Sequence, residues 1–176
     1  MPGSTPLGIP YPVGSDRVAD GDNAIESLAR WVDSSITWGF VTLSGGAGPG
    51  VGGSMWFTTC GSFAGSPGVS GTANGITVPR KGFYLVTATG QMSWSQPGTN
   101  NAALFIGDGF SVWARSYVNM TVVGAIQHSV YCQSVVSLPA GTMVRWGMAC
   151  TGPGAAGMAG GAADSNLVVS LLHPVP

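Results

Sequence analysis

"GITVPRKGFYLVTATGQMSW", Gly75 to Trp94, decides the fold. In its second half Tyr84, Val86, Ala88, Met92 and Trp94 fall on one face of an extended chain, while Thr87, Thr89, Gln91 and Ser93 fall on the other. A period of two belongs to a strand with one side in a core. The preceding Pro79-Arg80-Lys81-Gly82 is a turn, with Pro setting the bend and Gly closing it. Pro139-Ala140-Gly141 repeats that chemistry further on.

Working outward, the same alternation recurs. Ile126, Val130, Cys132, Val136 and Leu138 share a face, as do Val144, Trp146 and Met148 within 142–150, and Leu167, Val169 and Leu171 within 166–173. Shorter candidates are 36–43, 55–59, 75–78, 102–106 and 112–120. Eight or nine strands with Gly-rich connections predict an all-β, antiparallel sandwich or jelly roll over residues 36–176. Periodicity leaves the strand order open. Glycine clusters at 45–53, 61–75 and 152–161 lack a three-residue repeat, so they are expected as long surface loops rather than a collagen stem.

Residues 1–35 differ in kind. Pro6 to Ser35 holds seven of the chain's thirteen charged residues. Pro2, Pro6, Pro10 and Pro12 favour an extended course without sheet pairing, and Ile9 and Tyr11 stand between prolines as apolar anchors for an arm lying along a partner. Asn23 can cap a helix and Glu26 can return the bond, after which Ile25, Leu28, Ala29 and Val32 follow a helical stripe. Asp20, Asp22 and Glu26 favour its positive end. Ten to twelve residues of helix are unstable alone in water, so this one must pack against something.

Composition bounds the function. Charged residues make up only 7% of the chain, against roughly 25% in ordinary domains. So neutral a surface is poorly defended against association and suits a chain covered by copies of itself. A net charge of −1 with scattered cations offers no field for nucleic acid. No run of apolar residues is long enough for a membrane helix, and Met1-Pro2-Gly3-Ser4 does not open a secretory signal. The odd set Cys60, Cys132 and Cys150 reads as reduced, small apolar residues.

No constellation of acid, base and nucleophile emerges, so an enzyme is not expected, nor a cofactor or metal. Gly48, Gly50 and Gly53 satisfy a G-x-G-x-x-G pattern, but "SMWFTTC" follows, a strand and not the helix that a dinucleotide site needs. His128 and Cys132, four apart on a strand, would stand about 13 Å from each other, too far for proton transfer. Asp108 between two glycines reads as a turn residue. Among the aromatics, Trp56 and Trp113 adjoin Gly- and Ser-rich loops and are the candidates for an exposed, sugar-stacking surface.

Two resemblances extend this reading. "GITVPRKGFYLVTATGQMSW", "VVSLPAGTMVRWGMAC" and "SNLVVSLLHPV" resemble, in order, strand motifs of tumour-necrosis-factor-like and complement-globular-head jelly rolls, with Ser170 at a usual glycine position. That resemblance implies a tight homotrimer of binding or structural modules. "GIPYPVGSDRVADGDNAIESLARWVD" resembles the opening of minor structural proteins of tailed bacteriophages, matching at Ser15, Asp16, Val18, Ala19, Asp20, Gly21, Ala24, Ile25, Leu28 and Ala29. It implies a leader that joins a β module to other virion proteins. Ile9, Tyr11, Val18, Ile25, Leu28 and Val32 are then the expected docking residues. The expected function is that of a virion structural protein, a trimeric knob serving as a minor tail or fibre-like component. A decoration of the capsid shell and a host-surface glycan-binding module are the alternatives.

Overall fold

The computed structural model describes residues 3–4, 10–11, 23, 25–30, 32, 36–50, 52–94, 97–152, 156–159 and 165–175. The chain divides into two units, Met1–Ile36 and Thr37–Pro176.

In the first unit, β1 (Gly3–Ser4) and β2 (Pro10–Tyr11) form a two-residue antiparallel ladder, Gly3 opposite Tyr11 and Ser4 opposite Pro10. The leader therefore pairs with itself, contrary to the expectation of an extended course without pairing. Both strands of a two-stranded ladder are edges, where a residue lacking an N–H is tolerated. Residues 23, 25–30 and 32 are helical. The Glu26 carboxylate faces forward to Arg30, with Oε1 accepting from Nη2 at 2.6 Å and from Nε at 3.0 Å, an i, i+4 pair on the exposed side.

The second unit is a two-sheet antiparallel sandwich. Its strands are β3 (Trp38–Leu43), β4 (Ala47–Gly50), β5 (Gly53–Trp56), β6 (Cys60–Gly65), β7 (Ser70–Thr72), β8 (Gly75–Thr77), β9 (Gly82–Trp94), β10 (Gly98–Gly107), β11 (Val112–Val122), β12 (Ile126–Leu138), β13 (Met143–Thr151), β14 (Ala156–Met158) and β15 (Asn166–Pro174). One sheet runs β12-β9-β15-β3-β6, with β14 beside the end of β9 and β4 beside β14. The other runs β11-β10-β13-β8-β7, with β5 also on β13. The chain passes from sheet to sheet between β4 and β5, β5 and β6, β6 and β7, β8 and β9, β9 and β10, β11 and β12, β12 and β13, and β13 and β14. This is the wrapping of a jelly roll.

The interior is the face read from the sequence. Tyr84, Val86, Ala88, Met92 and Trp94 of β9 are buried against Leu104, Ile106, Val144, Trp146 and Met148 of the facing sheet, with Leu167 and Val169 beside them. Phe57 meets Trp146 edge to face, centroids 5.0 Å apart. Tyr84 donates from its hydroxyl to the Arg80 carbonyl at 2.9 Å, so the deciding strand also fastens the turn before it. At the second turn, Gly141 adopts φ +81° and donates to the Val78 carbonyl at 2.8 Å, while Thr142 Oγ1 donates to the Pro139 carbonyl at 2.9 Å.

The glycine clusters are not simply loops. β4, β7 and β14 lie within them and β6 almost wholly so, and these four strands take the module past the expected eight or nine. Missing side chains here make room for neighbouring ones. The Phe63 ring lies over Gly65 and Gly71, Met158 lies over Gly90, and Phe105 lies over Gly147. β5 and β8 follow the same edge of β13, bridged by the Phe57 N–H to the Trp146 carbonyl at 3.0 Å. Between them the chain crosses to pair β6 with β3, then returns through β7.

At Gly147 a Cβ would meet the Met55 carbonyl oxygen and two Phe105 ring carbons at 2.7 Å. Gly147→Ala is expected to lower the unfolding free energy by about 1–3 kcal/mol, through overpacking against backbone. Urea denaturation checks it; unchanged stability would show that Phe105 does not need that space.

Candidate functional site

The two outer faces of the sandwich have opposite chemistry. β3, β4, β6, β9, β12, β14 and β15 contain not one Asp, Glu, Lys or Arg. Register builds their outer face in rows. Val135, Leu85, Ser170 and Trp38 form one row, and Gln133, Thr87, Val168 and Phe40 the next. Tyr131, Thr89 and Asn166 follow. Trp38, Phe83, Tyr131 and Val135 are exposed, and Tyr131 donates its hydroxyl to Gln133 Oε1. A broad neutral face of this kind invites association, and burying it costs little because no charge must leave water. It is a candidate interface of the second unit.

The opposite sheet carries an arginine–aromatic strip. Arg115 on β11 stands in register with Phe105 on β10, and Gly147 on β13 and Trp56 on β5 continue the row. Trp56 and Phe105 pack edge to face, centroids 4.8 Å apart and planes at 87°. The Arg115 guanidinium lies 5.4 Å from the Phe105 centroid and 5.9 Å from that of Tyr117, and Arg145 lies 5.8 Å from Trp56. Beside this row is a shallow trough of about 140 Å³ lined by Asn101, Ala103, Arg115, Tyr117, Ala149 and Thr151.

The β10–β11 connection is a fixed turn. Asp108 Oδ1 accepts from the Phe110 N–H at 2.8 Å and the Ser111 N–H at 2.6 Å. Phe110, at its tip, is 98% exposed. The N–H groups of Ser111 and Phe110 hold the Asp108 carboxyl below its ordinary value.

Of the expected site residues, Ile25, Leu28 and Val32 are exposed on the short helix, at 65%, 37% and 42%. Ile9 and Val18 lie outside the described residues; Tyr11 closes the small ladder with its backbone. Trp56 is half-buried in the strip, and Trp113 is half-buried against the core, so neither stands clear as an exposed platform. The strip's exposed aromatic is Tyr117. The sequence signal was present in "VWARSYV", where Arg115 and Tyr117 alternate onto one face. His128 pairs with Met92 and His173 with Phe83, so the histidines stand at opposite ends of β9, roughly 30 Å apart. None of the three cysteines is in a disulfide, and burial pushes Cys60 and Cys132 up, away from thiolate character.

Among solved structures, the chain is similar to the Eiger TNF of S. frugiperda, at 12% identity and a TM-score of 0.49, over 81% of this chain and 96% of that one. No family model matches the chain, and no curated protein does either.

Asp108 has a lower pKa folded than its unfolded value of 3.8, so the turn's contribution is complete above that pH and is lost as pH falls through the folded value. The melting temperatures of wild type and Asp108→Ala are therefore expected to differ near neutrality and to converge below about pH 4. A gap that persists in acid would remove the carboxylate from the account.

Proposed function

We propose that this chain is a non-enzymatic structural protein of a tailed-phage virion, a homotrimeric knob anchored by its leader as a minor tail component. One observation carries the reading. The helix carries Ile25, Leu28 and Val32 as exposed apolar side chains, in the unit whose sequence resembles virion-attachment segments. A helix this short gains lasting order only from what it lies against. Its acidic entrance, Asp16, Asp20 and Asp22, suits a polar or basic surface around the apolar contact. Anchorage through three leaders would turn individually weak contacts into durable attachment.

The charge-free sheet supports self-association of the β module. Its apolar rows supply the hydrophobic part, and its Thr, Gln and Ser side chains can pair across an interface without desolvating a charge. The module then works by binding and by shape. Attachment to the capsid shell as a decoration is the same physics at another surface. Immunogold labelling of particles separates the two locations. Host-glycan recognition is a second reading, favoured by the arginine–aromatic strip.

Two outcomes are expected. Ile25→Asp with Leu28→Asp gives soluble protein that no longer copurifies with particles, read by mass spectrometry of purified virions; normal incorporation would defeat the docking role. Val135→Lys, which sets a charge into the neutral face, turns a trimer into a monomer on multi-angle light scattering. A wild-type protein that is itself monomeric at micromolar concentration would end the trimer reading.

A further inference from the structure

We infer that the trough beside Arg115 and Tyr117 is a binding site for a carboxylate-bearing sugar, a uronic or sialic acid at the end of a glycan. This goes beyond the structural role and does not rest on virion attachment, since every group involved lies on one sheet of the second unit.

Strand register makes the trough. Ala103 on β10 is opposite Tyr117 on β11 and Ala149 on β13, so a row of small floor residues begins at one large aromatic wall. The rows on either side are larger. Arg115 and Phe105 stand on one side, Asn101 with its partners Asn119 and Thr151 on the other. The depression holds about 140 Å³. A depression of this size seats part of one terminal sugar, and the rest of a glycan would run out over the open side.

The walls define the ligand. Tyr117 is 71% exposed, so its ring can take the C–H face of a pyranose, whose slightly positive hydrogens meet the negative π-cloud. Among the described residues Arg115 has no carboxylate partner, although its guanidinium is already held beside Phe105 and Tyr117 with Nη1 donating to the Tyr117 hydroxyl at 3.4 Å. A guanidinium with its fork open and its position set by two rings suits bidentate capture of a carboxylate. The floor of the trough is apolar, and Asn101 and Thr151, both exposed, stand at its far rim, where they can meet outward sugar hydroxyls. No acidic side chain lines the trough to repel an anion. A neutral sugar would use the ring and leave the cation unanswered; a small carboxylate such as acetate would use the cation and leave the ring bare.

The test is an NMR or calorimetric titration of the full-length protein with glucuronic acid and with N-acetylneuraminic acid, against methyl glucoside and acetate. At least one acidic sugar is expected to saturate with a Kd of about 1 mM, while methyl glucoside and acetate each bind at least about tenfold more weakly. Arg115→Gln should weaken the acidic sugar about tenfold, and Tyr117→Ala should weaken it while acetate is unaffected. Both side chains are exposed, and unchanged circular dichroism confirms the fold. Failure of both acidic sugars to saturate, equal binding of methyl glucoside or acetate, or wild-type affinity in Arg115→Gln overturns the proposal.

Discussion

The clamping of β9 on both edges is the constraint on which the rest of the structure depends. Thirteen residues, Gly82 to Trp94, pair along their whole length with β12 and through Gly82 to Thr89 with β15. Because side chains alternate with a period of two, a slip of one residue would turn Tyr84, Val86, Met92 and Trp94 outward and carry Thr87 and Gln91 into the core. Burial of those apolar groups thus fixes the register of three strands at once. Fixing them also fixes what faces outward, so the neutral rows ending in Val135 and Trp38 follow from the packing of the opposite side.

The two outer faces divide the electrostatics of the second unit. Among its strands, the only charged residues are Arg115 and Arg145, and both belong to the same sheet. Each lies over an aromatic ring, so the cations are spread along a strip with fixed geometry. The other sheet has neither sign of charge, and nothing in it would oppose close approach of an identical surface. A protein built this way can cover one side with copies of itself and keep the other open to ligands.

Much of this was legible in the residues. The core faces of β9, β13 and β15 could be read directly, because large apolar side chains recur there at every second position, even though Leu85 and Val168 also stand on the outer face. The Pro-Gly turns were equally plain. The strands inside the glycine clusters were hidden for a physical reason: where side chains are absent, periodicity has nothing to act on, and the space that Gly65 and Gly71 leave is taken by the Phe63 ring. The site was legible only in part. Trp56 drew attention as an aromatic beside a loop, yet its surroundings come from Phe105 and Arg145, distant in sequence and adjacent only through β13. The trough depends on Ala103 and Ala149 being opposite one another, and no local pattern announces that.

β15 lies between β9 and β3, and it is translated after every other described strand. While synthesis is under way, the middle of that sheet is a gap flanked by two unpaired edges, and the pairings that close it span about half the chain to β9 and most of it to β3. Loops that long close slowly. During that interval the nascent module has open hydrogen-bonding edges on a sheet without a single charge to keep neighbours away. The last strand to emerge is thus the one that removes those edges from reach of another nascent chain.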